Sequence, residues 1–248
     1  MNSNKLVINP DKTHLMVMAN KNNNKRVEVS LQAGEYTIKP SETEKLLGGQ
    51  LHQSLKWNQH LRDNKESLMN QLTSRINGLK RVSHDTSFGT RLMIADGIVM
   101  SKLTYLITLW GGAQQYLLNA LQVQQLSAAR VVCGFGCWFW SRSRLLKKVG
   151  WLSVKQLVFF HTVMQAHKTI STGVPKALHQ SLSNSYPYRT RRAATGLIRN
   201  GDGLSSTSSF KYRAMQYYNS VPSSIRTGSI ISVKRKLKLW VKANIPID

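Results

Sequence analysis

The stretch YPYRTRRA places Tyr186 and Tyr188 directly before Arg189, Arg191 and Arg192. Guanidinium forks bond phosphate oxygens in pairs, and phenol rings offer flat faces to bases, so the mixture suits contacts along a single nucleic-acid strand. The same composition also suits a plain flexible basic loop. Nearer the carboxy terminus, Lys234, Arg235, Lys236 and Lys238 alternate with Val233, Leu237, Trp240 and Val241. At helical spacing those four apolar residues form a narrow stripe that docks, and the cations are left to face solvent as phosphate contacts or as a merely solvated surface.

Other chemistry is conspicuous by its scarcity. The eleven Asp and Glu are scattered, with no adjacent Asp pair and no D-x-D, whereas Mg2+ chemistry on nucleic acid draws on grouped carboxylates. The closest acids are Glu42 with Glu44 and Asp63 with Glu66, and Asp85 and Asp96 stand eleven apart. Glu42 and Glu44 are expected to face water, and Asp63 and Glu66 to open a long helix, where its dipole favours them. No nucleophile elbow or phosphate-binding glycine loop is present. The only cysteines, Cys133 and Cys137, are spaced C-x3-C in CGFGC. A closed zinc site needs four ligands, and His84 and His161 lie outside any knuckle-like spacing, so two packed thiols are the preferred reading over zinc. His161 and His167, six apart on one helix, cannot chelate together and read as packed or surface groups. Catalytic residues, metal ligands and a resident cofactor are therefore not assigned to this chain.

The charge points to a partner. Thirty-five Lys and Arg against 11 Asp and Glu leave +24 over 248 residues, and from residue 131 onward there are 19 basic residues and two acidic ones. Such a field suits an anionic partner, and its main surface is expected in the second half. No charged segment followed by an apolar one opens the chain, and no apolar run reaches the ~18 residues of a membrane span. The expectation is a soluble protein of nucleus or cytoplasm without a membrane partner.

The elements that would carry these residues change character along the chain. Up to about residue 56 the pattern is β-rich: HLMVMA is a strand, VEVSLQAGEYTI a hairpin, and EKLLGGQL an apolar strand with two glycines. From Trp57 the period becomes helical. Leu61, Leu68, Leu72, Ile76 and Leu79 predict one amphipathic helix of about 20 to 25 residues. Further helices are predicted over Thr90 to Leu109 and from Gln114 through Val132, the latter with Leu117, Leu121, Val123 and Leu126 on its apolar face, and three such helices imply a bundle. GFGCWFWSRSR is an aromatic, glycine-rich break before a short basic helix, Ser143 to Val149. Ser153 and Gln156 form a capping box for a mostly apolar, central helix reaching about Ile170. Residues 183–209 read as a loop, followed by helices over Ser209 to Ser220 and Ile230 to Ala243.

In this order the pieces resemble the carboxy-terminal part of the reverse transcriptase of non-long-terminal-repeat (LINE-type) retrotransposons. INPDKTHLMV looks like the stretch after that family's catalytic Asp-Asp turn, with Asn9, Lys12 and Thr13 matching N-x-x-K-T. EKLLGGQLHQSLKWNQHL looks like its primer-grip hairpin, through Leu46, Leu47, Gly48 and Gly49, and the exit into the thumb. SKLTYLITLWGG is similar to the thumb segment ending in Trp-Gly, here Trp110-Gly111. LQVQQLSAARVVCG matches the helix L-Q-x-x-Q-x-x-A-x-R, through Leu121, Gln122, Gln125, Ala128 and Arg130. SFKYRAMQYYNSVPSSIR and SVKRKLKLWV resemble the closing Asn-Ser-Leu-Pro segment and last basic helix, with Tyr218 where Trp is usual.

The resemblance implies an α+β, mostly helical fold. Residues 1–56 would be a small antiparallel remnant of the palm with the primer-grip-like hairpin, 57–135 a thumb-like helical domain, 136–182 a helical connection, 183–209 a basic linker, and 210–248 basic terminal helices. It implies RNA or an RNA/DNA duplex as partner. It also implies that the fingers and most of the palm, with the aspartates that hold Mg2+ in the full polymerase, precede residue 1, so that the first strands lose their sheet neighbours. The chain is then expected to bind nucleic acid without polymerising on its own. Two other readings remain open on the sequence: a basic nucleic-acid-binding protein in host use, and a helical protein-interaction module.

Overall fold

The computed structural model describes residues 9, 12–18, 29–33, 36–182 and 208–247. The chain divides into two compact units, Met1–Asn70 and Gln71–Asp248. Among the described residues, helices dominate and the β structure is confined to two two-stranded antiparallel sheets, in agreement with the α+β, mostly helical class expected.

In the first unit, β1 (Leu31–Ala33) pairs with β2 (Tyr36–Ile38), Leu31 opposite Ile38. This is the hairpin read from VEVSLQAGEYTI, with its described strands shorter than that stretch. HLMVMA does not form the predicted strand: Leu15 alone bridges to Pro40, its carbonyl accepting from the Ser41 amide at 2.8 Å. A run of apolar residues becomes a strand only where a neighbouring strand takes up its amides, and none of the described strands lies beside Met16–Met18. EKLLGGQL is a hairpin rather than one strand. β3 (Thr43–Leu46) returns as β4 (Gly49–His52), Leu46 opposite Gly49, through Leu47 and Gly48 with φ of 47° and 77°. Two successive left-handed residues make the kind of turn whose twist matches that of paired strands.

The long helix predicted from Trp57 is broken. A π-helical turn, Gln59–Asp63, ends at extended Asn64 (φ −113°, ψ 150°), and α1 (Leu68–Val82) starts afresh. Asparagine causes the break because its short amide competes for the backbone: the Asn64 side chain accepts from the Glu66 amide at 3.0 Å, and its carbonyl accepts from Ser67 N at 2.9 Å and from the Asn70 side chain at 3.1 Å. Asp63 and Glu66 thus fall outside the helix they were expected to open, and Glu66 pairs with Lys45 at 2.6 Å. That ammonium holds the exposed Glu66 carboxyl below its ordinary value. The apolar stripe itself is as read, Leu61, Leu68, Leu72, Ile76 and Leu79 all being buried.

The second unit contains α2 (Phe88–Ala95), a π-helical turn Asp96–Met100, α3 (Ser101–Thr104), α4 (Ile107–Trp110), α5 (Gln115–Cys133), α6 (Arg142–Val149), α7 (Val154–Thr172), α8 (Lys176–Leu182), α9 (Phe210–Ser220), α10 (Ser223–Arg226) and α11 (Ile230–Asn244). Helices α2, α6, α7, α9 and α11 each begin at a serine, Ser87, Ser141, Ser153, Ser209 and Ser229, whose hydroxyl accepts an amide three residues on. The capping box of Ser153 and Gln156 is present. The single helix predicted over 90–109 is instead interrupted at Tyr105 and left-handed Leu106 (φ 56°), and the Trp110 indole donates to the Tyr105 carbonyl at 2.9 Å, satisfying an acceptor that the break released. The π-turn is held in a similar way: Arg75 donates to the Ile98 carbonyl at 2.7 Å and the Trp151 indole to Asp96 at 2.7 Å.

Helix α7 is central as expected, packed against α4, α5, α8, α9 and α11. Its Phe159 stacks on Tyr217 of α9 (4.7 Å between centroids) and lies 5.7 Å from the Trp240 ring of α11. Where α4 ends against α7, Gly111 is required by contact distance, because a Cβ there would stand 2.6 Å from the Ile107 carbonyl oxygen and 2.7 Å from Val158 Cγ1. A Cβ on Gly112 would overlap the Arg213 guanidinium and the Ser208 carbonyl.

On α5 the polar assignment is corrected. Val123, placed on the apolar face, is 59% exposed, whereas Gln122 and Gln125 are buried. Gln122 donates to Gln125 at 3.0 Å and accepts from the Val154 amide at 2.8 Å. Gln125 in turn donates to the Leu152 carbonyl at 2.8 Å. Beside this pair, Gln156 accepts from Ser153 N and donates to Ile245 O at 2.7 Å. Amides that both donate and accept can close such a chain with no charge inside the fold. Gln125→Ala leaves the Leu152 carbonyl and the Gln122 amide without their partner, so a loss of about 2–3 kcal/mol is expected. Urea unfolding would read this as a lower midpoint at an unchanged slope, and an unchanged midpoint would mean that water replaces the side chain.

Candidate nucleic-acid interface

Four of the cations singled out from sequence lie on α11. Val233, Leu237 and Val241 are buried, and Lys234, Arg235, Lys236 and Lys238, with Lys242, are exposed. The helix therefore docks by the predicted stripe and turns its charges outward. Lys236 Nζ reaches the Ser224 carbonyl at 3.5 Å. Arg189, Arg191 and Arg192, together with Tyr186 and Tyr188, lie outside the described residues.

The remaining candidates belong to the first unit. The Asn9 carbonyl accepts from the Lys12 amide at 3.2 Å and the Thr13 hydroxyl at 2.8 Å, and Lys12 is exposed. Leu46 and Leu47 form the tip of the β3–β4 hairpin, 60% and 79% exposed. A leucine with φ of 47° occupies a conformation that Asn or Gly adopts at lower cost. Local backbone preference and apolar burial are both sacrificed at Leu47, a pattern found where a surface is selected for contact. Gly49 is buried beneath the tip, and the Gln50 amide donates to Nδ1 of buried His60 at 3.3 Å.

Sequence reasoning missed one site in the second unit, treating residues 134–140 only as a break. The loop is tethered by Cys137, which is buried and whose thiol donates to the Gly134 carbonyl at 2.8 Å, while Phe135, Trp138 and Phe139 are 78%, 62% and 100% exposed. Next to it, α6 exposes Arg142, Arg144, Lys147 and Lys148, with Arg144 4.3 Å from the Trp140 ring centroid and Lys148 5.3 Å from that of Phe88. A cleft of about 620 Å³ is lined by Lys80, His84, Arg91, Arg130, Phe135 and Trp138 among others. Arg91 is fixed within it, Nε donating to Val132 O at 2.9 Å and Nη1 to Ser83 O at 2.9 Å and Thr86 O at 2.6 Å. The signal was available in the string FGCWFWSRSR, where aromatic and basic residues crowd a glycine-containing turn.

Cys133 and Cys137 are free thiols, and burial, followed by the neighbouring Cys137, pushes the Cys133 thiol up from its ordinary value. Among the described residues no group of three or more His, Cys, Asp and Glu gathers, so these residues offer neither a zinc set nor the carboxylates that Mg2+ needs. No helix among them is long and apolar enough to cross a membrane. No family model, curated protein or solved structure matches the chain.

The two histidines of α7 are packed groups. His167 is buried, with Nε2 3.5 Å from Ser171 Oγ, and burial pulls its imidazole below the ordinary value of 6.5. His161 is lowered by burial first and by the charge of Lys234 second. A folded state that holds these protons more weakly than the unfolded chain is stable above 6.5 and loses stability as pH falls below it. The urea midpoint is thus expected to drop between about pH 7 and pH 5.5, and His167→Gln to flatten that drop. Identical profiles for both proteins would show that His167 is protonated equally in the two states.

Proposed function

We propose that this chain is the carboxy-terminal part of a LINE-type reverse transcriptase and that it binds RNA or an RNA/DNA duplex without extending a primer on its own. The observation that carries the binding is the exposed cationic face of α11, in a region with 19 basic residues and two acidic ones from residue 131 onward. Neutralising phosphates there releases counterions, which is the main source of affinity for such surfaces.

The assignment to the polymerase rests on the ordered resemblance, and three local geometries support it. The Leu46–Gly49 stretch is the tip of a hairpin, as a primer-grip element requires, and its apolar tip faces solvent. Trp110-Gly111-Gly112 closes a helix at a point of tight approach, which gives the Trp-Gly pair a physical reason. Gln122 and Gln125 of the L-Q-x-x-Q motif are buried and hydrogen-bonded. In the full polymerase the palm aspartates would hold Mg2+. The sequence contains no adjacent Asp pair, and the fingers and palm would be the partner that supplies the reaction.

Binding of a labelled RNA/DNA hybrid is expected to weaken steeply with salt, about 10³- to 10⁵-fold between roughly 50 and 200 mM for ~6 to 10 phosphate contacts. Replacing Lys234, Arg235, Lys236 and Lys238 by Ala should lower the slope of log K against log salt by roughly one for each phosphate no longer neutralised. A slope unchanged in this variant would make α11 a solvated face only, and primer extension by the purified chain with Mg2+ would overturn the claim that it does not polymerise.

A further inference from the structure

We infer that the cleft between the end of α1, the end of α5 and the loop 134–140 takes an unpaired nucleotide of a single-stranded nucleic acid, its base on Phe135 and Trp138 and its phosphate on Arg91, Arg130 and Lys80. This deepens the nucleic-acid reading above and rests on it. Three observations converge. First, Phe135, Trp138 and Phe139 present large apolar faces to water, which costs hydration free energy unless a ligand covers them, and they do so from a loop whose buried Cys137 thiol bonds the Gly134 carbonyl. The rings are therefore displayed by a tethered turn.

Second, the cleft is cationic at its walls. Lys80 and Arg130 line it, and Arg91 is fixed by three carbonyls through Nε and Nη1, with Nη2 left to donate. A guanidinium already held in place loses little entropy on meeting a phosphate oxygen. Third, His84 lies beside Phe135 on the same wall, ring centroids 6.0 Å apart and tilted by 43°, so the aromatic surface extends past one ring while the faces of Phe135 stay open to a flat ligand. At about 620 Å³ the cleft falls in the range of small-ligand sites. A base paired and stacked within a duplex has no free face to offer, so the ligand is an unpaired base, and stacking makes the site tolerant of base identity.

The test compares a fluorescein-labelled uridine oligonucleotide of about twelve nucleotides with an RNA/DNA hybrid of the same length by anisotropy. Phe135→Ala with Trp138→Ala is expected to weaken the oligouridylate about tenfold or more and to leave the hybrid and the salt slope unchanged. Phe135→Tyr with Trp138→Phe keeps the rings and should bind as the parent does. Both positions are largely exposed, and circular dichroism of each variant checks that the helices persist. If the parent binds neither probe, the nucleic-acid reading itself falls. If the parent binds both and the alanine variant binds oligouridylate equally well, or loses both probes alike, the cleft inference is overturned while the general reading stands. Loss of a concentration-dependent dimer in the alanine variant, with oligouridylate affinity intact, would likewise overturn it, identifying the rings as a contact between chains.

Discussion

The second unit depends on a way of holding guanidinium groups, those of Arg213 and Arg226 buried and that of Arg91 half-buried, with almost no carboxylates to pair them. Arg91, Arg213 and Arg226 each donate to backbone carbonyls: Arg91 to Ser83, Thr86 and Val132, Arg213 to Thr108, Leu109 and Ser208, and Arg226 to Val221. Several of these acceptors sit in the last turn of a helix or just beyond it, where carbonyls lack intrahelical donors and the helix dipole is negative. The arrangement satisfies two needs together, since the orphan carbonyls gain donors and the cation gains a field that favours it. Arg213 also shows its cost: it is buried, its Nε has no partner, and burial draws the guanidinium below its ordinary value.

Much of the architecture follows from giving these arginines access. Gly112 has no side chain because the Arg213 guanidinium occupies the space a Cβ would need. Arg226, 5.1 Å from the ring centroid of Tyr218 and donating to the Val221 carbonyl, closes the segment NSVPSSIR on itself. Arg91 ties the end of α1 to the end of α5, and those two helix ends are walls of the aromatic cleft. Because buried cations are satisfied by the backbone, acids are not required inside the fold to balance them. The exposed lysines and arginines of α6 and α11 then keep a field available to a polyanion.

The buried glutamines obey the same economy. Gln122, Gln125 and Gln156 link α5, the entry to α7 and the end of α11 through neutral amides, so three parts distant in sequence are registered without an ion pair. On this frame α7 contributes apolar area, and Phe159 aligns α9 and α11 by ring contacts. The position of the cationic face of α11 is thus a consequence of contacts made on the opposite side of that helix.

The sequence by itself determined the features that depend on near neighbours. The stripes of α1 and α11, the serine caps, the capping box at Ser153 and the helix-rich second unit were legible because side chains three or four apart share a face and a cap bonds an amide three residues away. The outward charges of Lys234, Arg235, Lys236 and Lys238 followed from the same periodicity. Tertiary structure decided what rests on contacts across long separations. Gln122 and Gln125 went inside because Leu152 and Val154 supplied partners, whereas Asn64 and Tyr105 ended helices through bonds only two to six residues long, which the continuing apolar period concealed. The cleft of Lys80, Arg91, Arg130, Phe135 and Trp138 was illegible for the same reason. Its residues come from three stretches of chain, and only the packing of α2 against α5, with Arg91 bonded to Ser83 and Val132, brings rings and cations to one place.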